Sequence, residues 1–479
     1  MELVSFYLPQ FHEIEENNYA WGKGFTEWDN VKKAKAIFDG HDQPRKPLDG
    51  NYYNLTDINI IKWQAGLAKK YGITGFCFYH YWFKDGKHVL ERPSEMLLHN
   101  KDIDLQFCFS WANEPWTKTW HGASGEKEVL LEQRYGDKKQ WKEHFDYLLP
   151  FFKDSRYISI DKKPVFMIYQ INKIGCFSKM MDYWDSLAKQ NGFDGLYIID
   201  MLAVDGKVYK DKRVAATVDF EPSKAFRRIK TGNCGVNLCD YDEACQKMLA
   251  FKHKKNSYRC LFVDYDDSPR RGKNGIVFKG TSPEKFGRYL QKTIKLSEIE
   301  GNNIVFINAW NEWGESNYLE PDEKNRYGYL ESVKNALEMK YEDIEIEEIK
   351  KQDEPLDKFC QYYEICNRWI KLLNDGYKLE DYFIKKNYNY IAIYGMGEFG
   401  NRLVEALSNT DIVVKYGINR NMWDAFGELD ILGIDEVKNF EGIDCIVVTT
   451  VNIFEEVREN LHKKCSCDII SLEDVIFGI

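Results

Sequence analysis

Glu312 and Glu315 stand three residues apart in Asn311 Glu312 Trp313 Gly314 Glu315, a short segment that follows the apolar run Asn303 to Asn308. Breaking or making a glycosidic bond needs one carboxylic acid to protonate the leaving oxygen and a second carboxylate to supply or assist the nucleophile. Two glutamates on one loop can supply both, and Gly314 frees the backbone between them. Carboxylates at this spacing are common on surfaces. The position after an apolar run, between Trp310 and Trp313, is what gives the pair weight.

Similar residues recur after other apolar runs: Tyr79, His80, Tyr81 and Trp82; Trp111, Asn113, Glu114, Trp116 and Trp120; Tyr169; Asp219 and Glu221; Asp264, Asp266 and Asp267; Trp310 and Asn311. A sugar ring has an apolar C–H face and a fringe of hydroxyls, so its site needs aromatic platforms beside carboxylate and amide partners. One tryptophan alone reads as core packing. Their recurrence beside carboxylates reads as a carbohydrate site. Asn113 Glu114 is a rival catalytic position, since many barrel glycosidases place Asn-Glu after strand four and a nucleophilic glutamate after strand seven. Here Asn113 follows the third apolar run, and no glutamate follows the seventh. His12, His80, His88 and His121 lack the regular spacing of a metal set, so sugar contact or packing is expected of them and no metal.

The elements that must position these residues are eight short strands, near Leu3–Leu8, Thr74–Tyr79, Leu105–Trp111, Pro164–Tyr169, Leu196–Met201, Ala215–Asp219, Cys260–Asp264 and Asn303–Asn308. Amphipathic segments alternate with most of them: Asp57–Tyr71, Lys138–Phe152, Lys179–Asn191, Asp240–His253 and Pro283–Leu296, the last preceded by the N-cap Ser282. The connection Val204–Arg213 is too short for a full helix. This alternation over residues 1–340 predicts an α/β fold with a (β/α)8 TIM barrel, in which catalytic groups come from the C-terminal ends of the strands.

From Lys340 to Pro355 the chain turns acidic and loses its apolar period, which marks a boundary. A linker and helical connection is expected over 341–387, then a small Rossmann-like domain over 388–479. There Tyr390–Tyr394 reads as a strand, with further strands at Ile412–Tyr416 and Cys445–Thr449. Gly395, Gly397 and Gly400 give a G-x-G-x-x-G turn opening a helix, where backbone N–H groups could hold a phosphate. The position that would carry an acidic residue for ribose hydroxyls reads Gly417 Ile418 Asn419 Arg420. The domain has two open readings, a structural or docking role, or binding of a nucleotide or nucleotide sugar.

Composition narrows the function classes. The chain has 479 residues, 44% of them hydrophobic and 30% charged, which is globular usage. A net charge of −10 argues against nucleic acid and anionic membrane as partners. The run Lys252–Lys255 reads as a solvated helix face. No apolar run approaches a transmembrane span, and the start lacks a signal peptide's regions, so a cytoplasmic location is expected. The 12 cysteines include no CxxC pair, and many lie in apolar runs, so they read as buried thiols.

Four blocks together resemble the WbsX-type polysaccharide-biosynthesis proteins, whose barrel is similar to glycoside hydrolase family 99, the endo-α-mannosidases. They are Tyr7 Leu8 Pro9 Gln10 Phe11 His12, Gly24 Phe25 Thr26 Glu27 Trp28, Phe109 Ser110 Trp111 Ala112 Asn113 Glu114, and Asn308 to Glu315. The resemblance adds Tyr7, His12, Glu27 and Trp28 to the expected sugar contacts. It implies that Glu312 deprotonates the sugar's own 2-hydroxyl while Glu315 protonates the leaving oxygen, with retention through a 1,2-anhydro sugar and no required cofactor. It also implies surface-polysaccharide synthesis, on an oligosaccharide or polysaccharide substrate with a nucleotide-sugar donor. A hydrolase trimming oligosaccharides and a non-catalytic glycan-binding scaffold are the alternatives.

Overall fold

The computed structural model describes residues 1–118, 128–203, 209–226, 232–233, 237–345, 354–419, 429–434, 437 and 440–478. Trp120, His121 and Arg420 lie outside the described residues. The chain divides into two compact units, Met1–Ile349 and Lys350–Ile479.

In the first unit eight parallel strands form a ring: β1 (Glu2–Tyr7), β2 (Gly75–Trp82), β3 (Gln106–Trp111), β4 (Lys163–Ile168), β5 (Tyr197–Leu202), β6 (Val214–Asp219), β7 (Ser257–Tyr258 and Cys260–Phe262) and β8 (Ile304–Asn308). Pairing runs from β6 through β5, β4, β3, β2 and β1 to β8. β7 closes the circle in two halves. Ser257 and Tyr258 pair with Thr217 and Val218 of β6, and Cys260 to Phe262 pair with Phe306 to Asn308 of β8. The break falls at Arg259, whose guanidinium is turned away to Glu300 and to the carbonyls of Met248 and Phe251.

This is the (β/α)8 barrel that the alternation predicts. Only β2, which runs on to Trp82, and β7, which begins at Ser257, depart from the expected bounds by more than a residue. Helices Ile58–Tyr71, Arg92–His99, Lys138–Phe152 and Phe177–Gln190 follow β1 to β4, and Tyr241–Ala250, Pro283–Ile299 and Gly328–Leu337 follow β6 to β8. Among the described residues no helix separates β5 from β6.

Local sequence sets the helix ends. Asp57, Asp137, Asp240 and Ser282 each accept a backbone N–H of the first turn. Gly72, at φ +89°, ends Ile58–Tyr71 in the left-handed conformation.

Strand alternation directs side chains to opposite faces of the wall. On β2, Tyr79 and Tyr81 turn toward the barrel mouth. His80 and Trp82 turn outward to the helix layer, where both meet His144 of Lys138–Phe152.

The second unit holds five parallel strands, β9 (Tyr390–Tyr394), β10 (Val413–Asn419), β11 (Ile431–Gly433), β12 (Cys445–Val448) and β13 (Asp468–Ser471). Their order is β11-β10-β9-β12-β13, the third-second-first-fourth-fifth arrangement of doubly wound sheets. β11 and β13 go beyond the strands expected from sequence, being only three and four residues long. Helix Glu398–Leu407 follows β9 and packs tightly on the glycine turn. A β-carbon on Gly400 would stand 2.5 Å from the Gly395 carbonyl oxygen, whereas one on Gly397 would meet nothing within 4 Å.

Candidate active site

After β8 the chain forms a two-residue antiparallel ladder, Asn311–Glu312 against Asn317–Tyr318, around the turn Trp313–Glu315. Asn311 fastens this loop to the end of β1: its Oδ1 accepts the Leu8 N–H at 2.8 Å and its Nδ2 donates to the Leu8 carbonyl at 2.9 Å. Trp310 and Trp313 donate their indole N–H groups to the two oxygens of Glu320, at 3.0 and 2.7 Å. Tyr53 and Gln64 donate to the same carboxylate at 2.8 and 2.7 Å. All four donors are neutral, and burial pushes the Glu320 carboxyl up to about 7.

The carboxylates of Glu312 and Glu315 share one buried cation. Arg270, from the short helix Ser268–Arg271 after β7, donates from Nη1 to Glu315 at 2.5 Å and from Nη2 to Glu312 at 3.1 Å. Its Nε donates to Glu27 at 2.8 Å. One guanidinium thus faces three carboxylates. Burial, then the charge of Glu315, raises Glu312 to about 8, with Arg270 acting against both. Burial also raises Glu315, opposed first by Arg270, which lies closer to it. Burial and the repulsion between the two carboxylates therefore favour a proton shared by the pair, which titrates as a unit.

The two glutamates line a cavity of about 710 Å3 built from residues that follow the strands. Its walls carry the rings of Trp21, Tyr79, Tyr81, Trp116, Tyr169 and Tyr265, and its polar groups include Arg270 and Glu114. Glu114 accepts from the Gln170 side-chain amide, and burial raises its carboxyl. Gln10 donates to the Tyr81 hydroxyl at 3.2 Å. This combination of rings, carboxylates and amides can stack a sugar, bind its hydroxyls and exchange protons with it.

Seven of the residues expected at the site come together on this cavity: Glu312, Glu315, Tyr79, Tyr81, Glu114, Trp116 and Tyr169. Others lie behind it. Glu27 holds Arg270, Asn311 holds Leu8, and Asn113 bonds the Gln170 backbone through both side-chain atoms. Tyr7 bonds Gln64, Trp28 bonds the Tyr53 carbonyl, and Trp310 bonds Glu320. Asp219 is engaged by His253 and Asp264 by Arg45. Burial holds His12 neutral, down to about 4. Trp82 and Trp111 line a different cavity.

Sequence reasoning missed Arg270, Gln10, Trp21 and Glu320. Only their tertiary neighbours distinguish them from ordinary surface or packing residues. Among the described residues no group of three or more His, Cys, Asp or Glu could hold a metal ion, and no helix is long and apolar enough to cross a membrane.

The family model described as glycosyltransferase WbsX matches residues 3–333. The chain is 32% identical over 346 residues to WxcX, an uncharacterized protein of Xanthomonas campestris pv. campestris, in each of two strains. The match covers 70% of this chain but 49% of WxcX, so the chain spans about half the length of these relatives. Among solved structures, a family 99 endo-α-mannosidase of Bacteroides thetaiotaomicron aligns at a TM-score of 0.46 and 15% identity, over 71% of this chain and 97% of its own.

Proposed function

The chain belongs to the WbsX glycosyltransferase family, and on that premise we propose that its barrel makes or transfers glycosidic bonds in the assembly of a cell-surface polysaccharide. The observation that carries this reading is the pair Glu312 and Glu315 on one buried arginine, in a cavity walled by aromatic rings. Glu27, Asn113 and Asn311 serve by holding the loops, and Tyr79, Tyr81, Glu114, Trp116 and Tyr169 by contacting sugar.

In the proposed retaining cycle Glu312 takes the proton of the sugar's 2-hydroxyl as O2 attacks C1. The bond from C1 to the leaving oxygen breaks, and Glu315 gives that oxygen a proton. An acceptor hydroxyl then opens the 1,2-anhydro ring, passing its proton to Glu315 while O2 regains one from Glu312. The cycle thus starts with Glu312 ionised and Glu315 protonated. Arg270 bridges the two groups and opposes the rise of both, so it steadies whichever member of the pair is ionised.

The glycine turn Gly395–Gly400 of the second unit, at the head of a doubly wound sheet, supports a nucleotide or nucleotide-sugar site there.

The test is mass-spectrometric turnover of nucleotide sugars and oligosaccharides by the wild type, Glu312→Gln and Glu315→Gln. Nucleotide release with a lengthened acceptor, absent from both variants, is the expected result. Shortened oligosaccharide without nucleotide consumption would make the chain a hydrolase. Binding without turnover in any form would make it a scaffold, and activity surviving in both variants would move the chemistry to Glu114.

A further inference from the structure

Three side chains of the long connection after β1 reach the loops that follow β7 and β8. His41 bonds Asp266 through Nε2 at 2.8 Å, Gln43 donates to Asp266 at 2.6 Å and to Ser316 Oγ at 2.8 Å, and Arg45 donates to Asp264 at 2.7 Å. Their partners flank the proposed site. Asp264 and Asp266 precede Arg270, and Ser316 directly follows Glu315.

Both donors to Asp266 are held in orientation. The Nδ1 of His41 accepts the Ile37 N–H at 3.2 Å, which leaves the ring proton on Nε2, facing Asp266. The ring stacks on Phe38 at 4.4 Å and its side chain is 3% exposed. The Oε1 of Gln43 accepts the Arg45 N–H at 3.2 Å, which turns the amide nitrogen toward Asp266 and Ser316.

Asp266 is where the two catalytic loops meet. Its Oδ1 accepts the N–H of Ser268, the first residue of the short helix that carries Arg270, at 2.9 Å. Its own backbone N–H donates to the Glu315 carbonyl at 2.7 Å. Burial opposes the charge of this carboxylate, yet the bonds from His41, Ser268 and Gln43 hold its pKa below the ordinary value. It is a fixed anion at the junction.

Among the described residues the Glu315 carboxylate bonds Arg270 and no other side chain. Its aim therefore depends on where Arg270 stands relative to the loop after β8, and Asp266 ties those two together. Glu27 holds the same arginine at Nε, so the connection after β1 grips both the guanidinium and the turn from which it hangs. His41, Gln43 and Asp266 do not line the mouth, so they can reach a substrate only through these neighbours.

We propose that His41 and Gln43 are positioning residues for glycosyl transfer, acting through Asp266 to keep Arg270 and Glu315 in the geometry that protonates the leaving oxygen. The proposal rests on the reading of Glu315 as that acid. Loss of either donor leaves the Asp266 carboxylate short of a partner and free to shift, and a displacement of about 1 Å at a reacting group costs about 100-fold in rate.

The experiment measures phenol release by the wild type, His41→Ala, His41→Gln and Gln43→Ala from phenyl and dinitrophenyl α-glycosides of mannose, glucose and galactose. Dinitrophenolate departs without a proton, whereas phenolate needs the acid. His41→Ala and Gln43→Ala are expected to lose about 100-fold in kcat on the phenyl glycosides, less than about threefold on the dinitrophenyl ones, and to keep KM. His41→Gln, whose amide can donate from the place of Nε2, should recover most of the loss. An equal loss on both leaving groups marks a structural role and overturns the proposal, as does full activity in His41→Ala. If the wild type turns over none of these probes and no nucleotide sugar, the glycosyl-transfer reading fails on its own account. Crystal structures of the wild type and His41→Ala then decide the positioning: a bond between Arg270 and Glu315 that breaks in the variant upholds it, and one that persists overturns it.

Discussion

Gly314 and Glu27 are packed so closely that a β-carbon added to Gly314 would stand 1.8 Å from Glu27 Oε1. The carboxylate that anchors Arg270 fills the space a side chain would take, between the two proposed catalytic glutamates.

Gly314→Ala is therefore expected to abolish glycan turnover and to cost about 1–3 kcal/mol of stability, as overpacking does. A urea midpoint measures the second effect. Adding Glu27→Ala should recover part of the stability, because it vacates the space, but none of the turnover, because Arg270 loses its anchor. Recovery of both would show that Glu27 only fills volume.

Arg270→Gln removes the cation that lowers both glutamates. Activity that needs one proton on the pair is lost as the pH rises through the upper apparent pKa, which lies near 8 with Arg270 present. Without the arginine that alkaline limb should move up by about 1–3 units. The pH profile of kcat/KM checks this, and a limb that stays in place would show that Arg270 does not set the pair's protonation.

Burial has opposite consequences for the barrel's carboxyls and imidazoles. Glu312 and Glu320 are raised to about 8 and about 7, so they bind a proton more tightly folded than unfolded. Their stabilisation is complete below about 4.3, the unfolded value, and is lost as the pH rises through the folded values, each unit of separation being worth about 1.4 kcal/mol. His80 is pushed down to about 3 and its partner His144 is also lowered, first by burial. Their contribution is complete above about 6.5 and is lost as the pH falls below it. Urea midpoints should decline from pH 6.5 to 8, and Glu320→Gln should remove a fall of about 1.4 kcal/mol per pH unit between about 4.3 and 7 while leaving the slope above pH 7 unchanged. An unchanged slope would mean that Glu320 is ionised throughout.

In the second unit Gly400→Ala drives a β-carbon against the Gly395 carbonyl and should destabilise that unit by about 1–3 kcal/mol. Gly397, at φ −90° with open space beside it, should accept alanine at a cost within about 0.5 kcal/mol. If the turn holds a nucleotide, Gly397→Ala will weaken nucleotide-sugar binding in a calorimetric titration while leaving the unfolding transition in place.

Much of this architecture is legible in the chain. The barrel strands announce themselves because buried parallel strands are continuous apolar runs, and Asp57, Asp137, Asp240 and Ser282 mark helix starts through local hydrogen bonds. β11 escaped notice because three residues carry no period. At the site, the carboxylate pair and the tyrosines of β2 stand out by position. Arg270 does not. Ser268 Pro269 Arg270 Arg271 looks like any exposed turn, and the partner that buries its arginine is Glu27, far off in the chain. Trp28, Trp82, Trp111 and Trp310 illustrate the converse. An indole after a strand can point into the mouth or back into the helix layer, and only the alternation across the wall decides which.

The Glu320 cage has a consequence for how such a barrel changes over evolutionary time. Trp310, Trp313, Tyr53 and Gln64 come from the loop after β8, the long β1 connection and its helix, yet they converge on one carboxylate, so no one of them can drift alone. Tyr79 on β2, Trp116 after β3 and Tyr169 after β4 come from separate parts of the wall, and among the described residues none of them bonds that carboxylate. On the proposed reading, preference for one sugar over another can be rewritten there, one position at a time, while the loop that carries Glu312 and Glu315 is inherited as a block.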